Sequence, residues 1–91
     1  MKKTKNHVSA SVGRKIKETR KSVGISANAL AQNLGLSQQQ ISRYENGRTS
    51  MTIDTVVMIA RQLDVSVNDL LSDYLTSEDN HKIITEYHCM H

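Results

Sequence analysis

The amino-acid sequence predicts an all-α protein, a compact domain of five short helices followed by a C-terminal tail. Apolar residues recur at the three- and four-residue spacing of helices, and no segment before the tail alternates as a strand does. Gly24, Gly35 and Gly47 recur at intervals of eleven and twelve residues, each followed shortly by Ser or Thr. Glycine suits the position that ends a helix, and Ser or Thr caps the next one.

We expect the helices to cover roughly 9–23, 26–34, 37–46, 52–63 and 66–73. The apolar stripes that define them are, in order, Val12, Ile16, Thr19 and Val23; Leu30, Ala31 and Leu34; Ile41 and Tyr44; Ile53, Val56, Val57, Ile59, Ala60 and Leu63; and Val67, Leu70 and Leu71. Helices this brief, joined by loops this short, do not form a parallel bundle. The pattern therefore predicts a globule whose helices cross at large angles.

The last stretch of the chain allows two interpretations. Thr76 or Ser77 could cap a sixth helix whose narrow apolar stripe would be Ile83, Ile84 and Tyr87. The segment KIITEYH fits a short strand equally well. We therefore divide the chain into an N-terminal arm (1–8), a helical domain (9–73) and a C-terminal tail (74–91).

Composition and motifs exclude several classes of protein. No apolar run approaches the ~18 residues of a membrane helix, and the N-terminal MKKTKNHVSASVG lacks the apolar stretch of a signal peptide. The motifs G-x-x-x-x-G-K-[ST], H-E-x-x-H and G-x-S-x-G are absent, so we expect no enzyme. Three tyrosines without Phe or Trp leave no stacking platform for single-stranded RNA.

The single cysteine, Cys89, cannot form an internal disulfide, which agrees with a reducing cytoplasm. Soft metal ligands lie close together near the end of the chain, at His81, His88, Cys89 and His91. Structural zinc, however, usually takes four ligands from spaced pairs. We therefore expect no metal site and no cofactor.

Charge is divided unevenly along the chain. Residues 1–48 hold ten Lys and Arg against two acids, whereas residues 49–91 hold two against seven. A basic half on a small polar chain favours a polyanionic partner. The alternative is an ordinary solvated charged face.

The segment LSQQQISRYENG combines a capping pattern with a polar surface. Ser37 and Gln40 have the S-x-x-Q spacing of a capping box, which gives Gln40 a structural role. On a helical wheel, Ile41 and Tyr44 point one way, and the opposite arc holds Gln38, Gln39, Ser42, Arg43 and Asn46. Glutamine matches the N6 and N7 edge of adenine, and arginine matches O6 and N7 of guanine. The arc therefore fits base edges in a major groove, or is simply solvated.

The surroundings of this segment have the spacing of a helix-turn-helix: Ala31 four residues before Gly35, and Ile41 six residues after it. The stretch LAQNLGLSQQQISRYENGRTS resembles the Cro/Xre-type helix-turn-helix of phage repressors. The resemblance runs from about Val12 to Leu71 and includes VGRKIKETRKSVGIS and IDTVVMIARQLDVSVNDLL. It implies a five-helix, phage-repressor-like domain that binds double-stranded DNA.

The resemblance also implies roles for individual residues. The residues expected to read bases are Gln38, Gln39, Ser42 and Arg43. Those expected to contact phosphates are Ser26, Asn28, Gln32, Asn46, Arg48 and Thr49. Arg20 and Glu45 match a pair that forms a buried ion pair in many relatives. The chain departs from the family at two places. Ala27 stands where relatives often have a glutamine that anchors a phosphate. No proline follows ENG, where many relatives have one, so we expect the loop there to be more mobile.

The function expected from this resemblance is a sequence-specific transcriptional regulator, a repressor acting as a homodimer on a palindromic operator. Such a protein would be encoded by a bacterium or a phage and would be cytoplasmic and associated with the nucleoid. The dimer surface would include the fifth helix and the tail, namely Val67, Leu70, Leu71, Tyr74, Leu75, Ile83, Ile84 and Tyr87. The alternative is an antitoxin-type autoregulator whose residues 76–91 bind a partner protein. Lys2, Lys3 and Lys5 would either wrap the duplex as an arm or form a solubilising end.

Overall fold

The computed structural model describes residues 7–76, which form five α-helices and no strand. The helices are α1 (His7–Ser22), α2 (Ala27–Leu34), α3 (Gln38–Glu45), α4 (Ile53–Leu63) and α5 (Val67–Leu75). None of these described helices has the length and apolar character needed to cross a lipid bilayer. The lysines of the arm, the proposed sixth element and the histidines and cysteine near the C-terminus lie outside the described residues.

Four of the helices begin at a hydroxyl side chain that caps them. Each of these cap residues has an extended backbone, and its hydroxyl accepts a hydrogen bond of 3.0–3.1 Å from the backbone N–H three residues later: Ser26, Ser37, Thr52 and Ser66. Such caps satisfy backbone donors that have no partner inside the helix. The Ser and Thr positions in the sequence therefore set where these helices start.

The five predicted helices are all present, and their limits lie within two residues of the predicted ones. Most of the differences arise because the prediction counted the cap residue as part of the helix. The largest difference at a C-terminal end is at α5, which continues to Leu75 instead of ending at residue 73. The predicted all-α fold is confirmed.

The core takes at least one fully buried aliphatic side chain from every helix: Ile16, Leu30, Ile41, Ile59, Leu63 and Leu70. Helix α1 lies at the centre, because it packs against α3, α4 and α5. Helix α2 packs against α3 and α4, and α4 also packs against α5. Helix α3 thus rests directly on α1, and α2 joins the core through α3 and α4.

Two glycines bring α1 and α3 into close contact. A Cβ atom on Gly13, within α1, would lie 2.1 Å from the carbonyl oxygen of Tyr44. A Cβ atom on Gly47, just after α3, would lie 2.7 Å from the Cα of Ala10, and Gly47 also has a φ of +71°. Any larger residue would push the two helices apart, so these glycines set the distance between α1 and the end of α3.

Candidate nucleic-acid interface

Helices α2 and α3 form the helix-turn-helix that the spacing predicted. Gly35 ends α2 in the left-handed conformation, with a φ of 71°. The backbone N–H of Leu36 then donates to the carbonyl of Ala31 at 2.8 Å, which closes the turn. Ala31 and Ile41 are almost fully buried, at 1% and 0% exposure, where the two helices meet. The small residue and the branched residue thus occupy the crossing point that fixes the angle between the helices.

A buried ion pair joins α1 to α3. The Nε of Arg20 donates to Oε2 of Glu45 at 2.6 Å, and its Nη2 donates to Oε1 at 3.1 Å. Its remaining nitrogen, Nη1, donates to the carbonyl of Ile25 at 3.0 Å, immediately before the cap of α2. The Arg20 guanidinium therefore ties together α1, the start of α2 and the end of α3. Planar, two-pronged contacts of this kind fix orientation as well as distance.

The outer face of α3 carries the four side chains predicted to read bases. Gln38, Gln39, Ser42 and Arg43 are all exposed. Gln38 and Gln39 lie in the first turn of the helix, and Ser42 and Arg43 lie one turn further on. The structure thus brings the four predicted residues onto one solvent-facing surface of a helix whose opposite face is buried.

The predicted capping box on α3 is only half present. The hydroxyl of Ser37 accepts the N–H of Gln40 at 3.0 Å, but the Gln40 side chain makes no return bond within residues 7–76. A complete box occurs instead on α5, where Ser66 Oγ accepts from Asp69 N and Asp69 Oδ2 accepts from Ser66 N at 3.2 Å. The Asp69 side chain is one methylene shorter than that of a glutamine, and its carboxylate accepts the backbone N–H of Ser66 directly. The structural role assigned to the Gln40 side chain was therefore wrong.

The residues predicted to contact phosphate fall into two groups. Ser26, Asn28 and Gln32 are exposed on α2, at and near its N-terminus. The Ser26 hydroxyl accepts the Ala29 N–H at 3.0 Å, and its own hydrogen remains able to donate to an anion. The N-terminus of a helix presents backbone donors and a positive dipole end, both of which favour a phosphate.

The second group follows α3. Asn46 and Arg48 are exposed and Thr49 is half-buried. The Asn46 amide donates to the hydroxyl of Ser42 at 3.4 Å, so it also contacts one of the four residues predicted to read bases. The Arg48 N–H donates to the carbonyl of Arg43 at 2.9 Å, which holds the backbone of the loop against the end of α3. This bond constrains the start of a loop that contains no proline.

Ala27, at the position of the glutamine that anchors phosphate in many relatives, packs against the core. Its side chain is half-buried and packs against the hydrophobic core. A methyl group at the first position of α2 offers no hydrogen bond to an anion. Any side-chain contact to a phosphate at this helix end would therefore come from its neighbours Ser26 and Asn28, beside the backbone donors of the helix terminus.

The side predicted to form the dimer surface needs one correction. Leu70 is fully buried in the core of its own domain, at 0% exposure, so it has no surface to offer a second copy. Val67, Leu71, Tyr74 and Leu75 are each half-buried. The apolar stripe of α5 faces inward at its centre, and only its edges reach the surface.

Sequence reasoning missed three structural features. Gly13 was not singled out, although its lack of a side chain is what permits the contact with Tyr44. Asp64 ends α4 in the left-handed conformation, with a φ of 60°, a role assigned only to glycines. Lys15 lies 4.0 Å from Asp73 and links α1 to α5 at the surface. None of these has a local signal, apart from the tolerance of Asp for a positive φ.

Comparison with known proteins agrees with this geometry. The model of the helix-turn-helix family HTH_3 matches residues 16–70, which include the motif and all of α2, α3 and α4. The chain is 32% identical over 79 residues to an uncharacterized transcriptional regulator in the ATPase CF(0) region of Rhodospirillum rubrum; the match covers 87% of this chain and 73% of that protein. It is 31% identical over 62 residues to antitoxin PezA of Streptococcus pneumoniae serotype 4, covering 68% of this chain and 39% of the antitoxin.

Solved structures show the same fold. The HTH_3 family transcriptional regulator from Vibrio cholerae superposes with a TM-score of 0.68 at 31% identity, over 75% of this chain and 38% of that one. The restriction-modification controller protein C.AhdI from Aeromonas hydrophila has a TM-score of 0.64 at 24% identity, over 67% and 88% of the two chains. A similar domain occurs in hydroxypropylphosphonic acid epoxidase from S. wedmorenis, with a TM-score of 0.68 at 27% identity, over 72% of this chain but 35% of the enzyme. The chain belongs to the Cro/Xre-type helix-turn-helix family of DNA-binding domains.

Proposed function

We propose that the protein is a sequence-specific transcriptional regulator, a repressor that binds a palindromic operator as a homodimer and performs no catalysis. The observation that carries this proposal is the division of α3 into two faces. Ile41, Tyr44 and Glu45 are buried and hold the helix in place. The opposite side chains, at Gln38, Gln39, Ser42 and Arg43, are exposed, as base readers must be.

The chemistry of the outer face favours a mixed operator. Gln38 and Gln39 each offer a donor and an acceptor that match the N6 and N7 edge of adenine. Arg43 offers two parallel donors that match O6 and N7 of guanine. Because the N-terminal turn of a recognition helix commonly contacts base edges, the two glutamines would read one end of a half-site and Arg43 a neighbouring pair.

Phosphate contacts would set the position of α3 in the groove. Ser26, Asn28 and Gln32 would bind one strand from α2, and Asn46, Arg48 and Thr49 would bind from the loop after α3. The described residues up to 48 carry seven Lys and Arg against two acids, whereas residues 49–76 carry one against four. The part of the chain that contains α2, α3 and the loop after them is thus the basic part, and its exposed cations Arg43 and Arg48 lie on or next to α3, which suits a polyanion.

Two copies would be needed for useful specificity, because one recognition helix reads only a few base pairs. Half-sites about one helical turn apart would place the two recognition helices in successive major grooves. Val67, Leu71, Tyr74 and Leu75, together with residues 76–91, remain our candidates for the contact between copies. These residues belong to the acidic half of the chain, as expected for a face turned away from DNA.

The experiment that tests this proposal is selection from a random duplex pool by the purified full chain at about 150 mM salt, where nonspecific phosphate binding is weak. Recovery of a palindrome with two half-sites would support the proposal and show whether adenines lie opposite Gln38 and Gln39. Recovery of nothing above the unselected pool would overturn sequence-specific reading.

A second candidate function is an antitoxin-type autoregulator. The 31% identity to antitoxin PezA over 62 residues favours it, and that match covers 68% of this chain. In this version the helical domain would bind its own operator and residues 76–91 would bind a toxin in the bacterial cytoplasm. Co-expression with the product of the adjacent gene discriminates the two, because only an antitoxin would co-purify with that product and restore growth of cells expressing it.

A further inference from the structure

An apolar groove lies between the N-terminal turns of α1, the start of α4 and the first half of α5. Its volume is about 240 Å³, and its walls include Val8, Val12, Met51, Ile53, Val67 and Leu71. These residues are far apart in sequence and meet only because α1 packs against both α4 and α5. The groove lies outside the predicted base-reading and phosphate-contacting sets.

The rim of this groove exposes large apolar side chains to water. Ile53 is 68% exposed and Val8 is 42% exposed. Two other exposed apolar side chains, Val23 and Met58, do not line the groove. Isolated exposed apolar residues need no explanation, but Ile53 and Val8 lie on the rim of one concavity, so a segment that binds in it would remove apolar surface of both from water.

The chain itself supplies a segment of suitable length. The described structure ends at Thr76, just past α5, and residues 77–91 follow. At 1.5 Å per helical residue, Leu71 lies about 7.5 Å and Val67 about 13.5 Å back along α5 from Thr76. Residues 77–82 can extend to about 20 Å, so Ile83 and Ile84 can return to the groove.

The composition of that segment also fits. Ile83, Ile84 and Tyr87 supply apolar side chains within five positions; Glu86 lies between them, and Glu78, Asp79 and Lys82 precede them. The Nζ atom of Lys15 lies 4.0 Å from Oδ1 of Asp73 near the C-terminal end of α5, so α1 presents a cation near the point where the segment leaves α5. The N-terminal MKKTKN is a poor match for the groove, because it has three lysines and Met1 as its only apolar residue.

We propose that the groove between α1, α4 and α5 binds the C-terminal segment of the same chain, with Ile83, Ile84 and Tyr87 as the inserted side chains. A groove this small gives weak binding between separate molecules. A short tether, however, provides an effective concentration of about millimolar, which favours the segment of the same chain over that of a second copy. Binding in this way covers Val67 and Leu71. It therefore narrows the contact between copies proposed above, because Val67, Leu71 and the inserted side chains would be buried within one chain and the contact would fall to Tyr74, Leu75 and the rest of the tail.

The native Cys89 allows a direct test in the full chain. The variant Ile53→Cys places a second thiol on the exposed rim, and mild oxidation of a dilute sample should join it to Cys89 within one chain. Mass spectrometry then shows a monomer that has lost two hydrogens, with a peptide linking positions 53 and 89. The matched control is Met58→Cys, which is 45% exposed on the same helix but lies outside the groove.

A peptide that links position 53 of one chain to position 89 of another, as the main product, would overturn the proposal and assign the groove to a second copy, whereas a dimer joined through Cys89 of both chains does not involve the groove and is removed by dilution. Cross-linking of Ile53→Cys no faster than that of Met58→Cys would overturn it too. Neither outcome involves DNA, so a failure here is distinguishable from a failure of operator selection.

A second measurement covers the case in which the two thiols are close but misaligned. In a Cys89→Ser background, Ile53→Cys should react with a thiol reagent about tenfold faster once Ile84→Asp is added, because the tethered segment no longer protects it. The rate for Met58→Cys should not change. Equal rates for Ile53→Cys with and without Ile84→Asp would overturn the proposal.

Discussion

The two faces of α3 differ in almost every physical property, although they belong to one helix of only eight residues. The inner face holds Ile41, Tyr44 and Glu45, which are nearly inaccessible: Ile41 and Tyr44 belong to the hydrophobic core, and Glu45 is bonded to Arg20 of α1. The outer face holds Gln38, Gln39, Ser42 and Arg43, which face water. Fold stability and the proposed DNA reading thus fall on separate residues of one helix, so substitutions should affect one property at a time.

The largest expected effect is on the inner face. Glu45→Ala leaves the Arg20 guanidinium buried without its carboxylate, which should lower the free energy of unfolding by about 3–5 kcal/mol. Urea denaturation followed by circular dichroism measures this loss. The double variant Arg20→Met/Glu45→Leu is the control, because replacing a whole buried pair by apolar groups is often neutral. A loss below 1 kcal/mol for Glu45→Ala would show that the pair is not needed to hold α3.

The next effect tests the contact between α1 and α3. Gly13→Ala places a Cβ atom against the Tyr44 carbonyl, and the helices must separate to admit it. We expect a loss of about 1–3 kcal/mol in unfolding free energy, even though alanine favours helix more than glycine does. Lys17→Ala, on the exposed face of the same helix, should change stability by no more than about 0.5 kcal/mol. Higher stability for Gly13→Ala would contradict the close approach.

The outer face should respond in binding and not in stability. Arg43→Ala should weaken binding to the selected operator by about 1–3 kcal/mol and relax preference at one base pair. Competition assays with operator variants and random duplex measure both effects. Arg61→Ala removes an equal charge from α4 and should leave base preference intact. Equal losses on operator and random DNA for Arg43→Ala would remove Arg43 from the base-reading set.

The smallest effect concerns the loop after α3. Arg48→Ala should weaken binding to all sequences alike and reduce the slope of log K against log salt by about 0.9, the value for one phosphate contact. Titrations at several salt concentrations measure the slope, again with Arg61→Ala for comparison. An unchanged slope would mean that Arg48 does not contact phosphate.

Much of this architecture could be predicted from local sequence. Ser26, Ser37 and Ser66 mark helix starts because a cap needs only its own helix, and Gly35 marks a turn for the same reason. The spacing of Ala31, Gly35 and Ile41 identified the motif, and the family resemblance supplied the pairing of Arg20 with Glu45. Each of these features depends on a short pattern or on a known relative.

The features that could not be predicted depend on distant contacts. Gly13 looks like an ordinary, slightly unfavourable helix residue until Tyr44 is placed beside it. Leu70 belongs to an apolar stripe, and such a stripe does not tell whether it packs inside the domain or against a second copy. Gln40 has the spacing of a capping box, but spacing does not determine which rotamer the side chain adopts. For Gly13 and Leu70 tertiary structure decides the outcome.

The central position of α1 has a consequence for the order in which the domain is completed during synthesis. Of the described helices, α1 leaves the ribosome before the other four, yet one of its main packing partners is α5, which leaves after them. At about 5–20 residues per second, the core stays open until Leu70 has emerged. Since α3 depends on α1 for its orientation, a nascent chain that stops before α5 should contain the recognition helix but hold it too loosely to read DNA. Translation would thus release a functional reader only once the whole domain has been made.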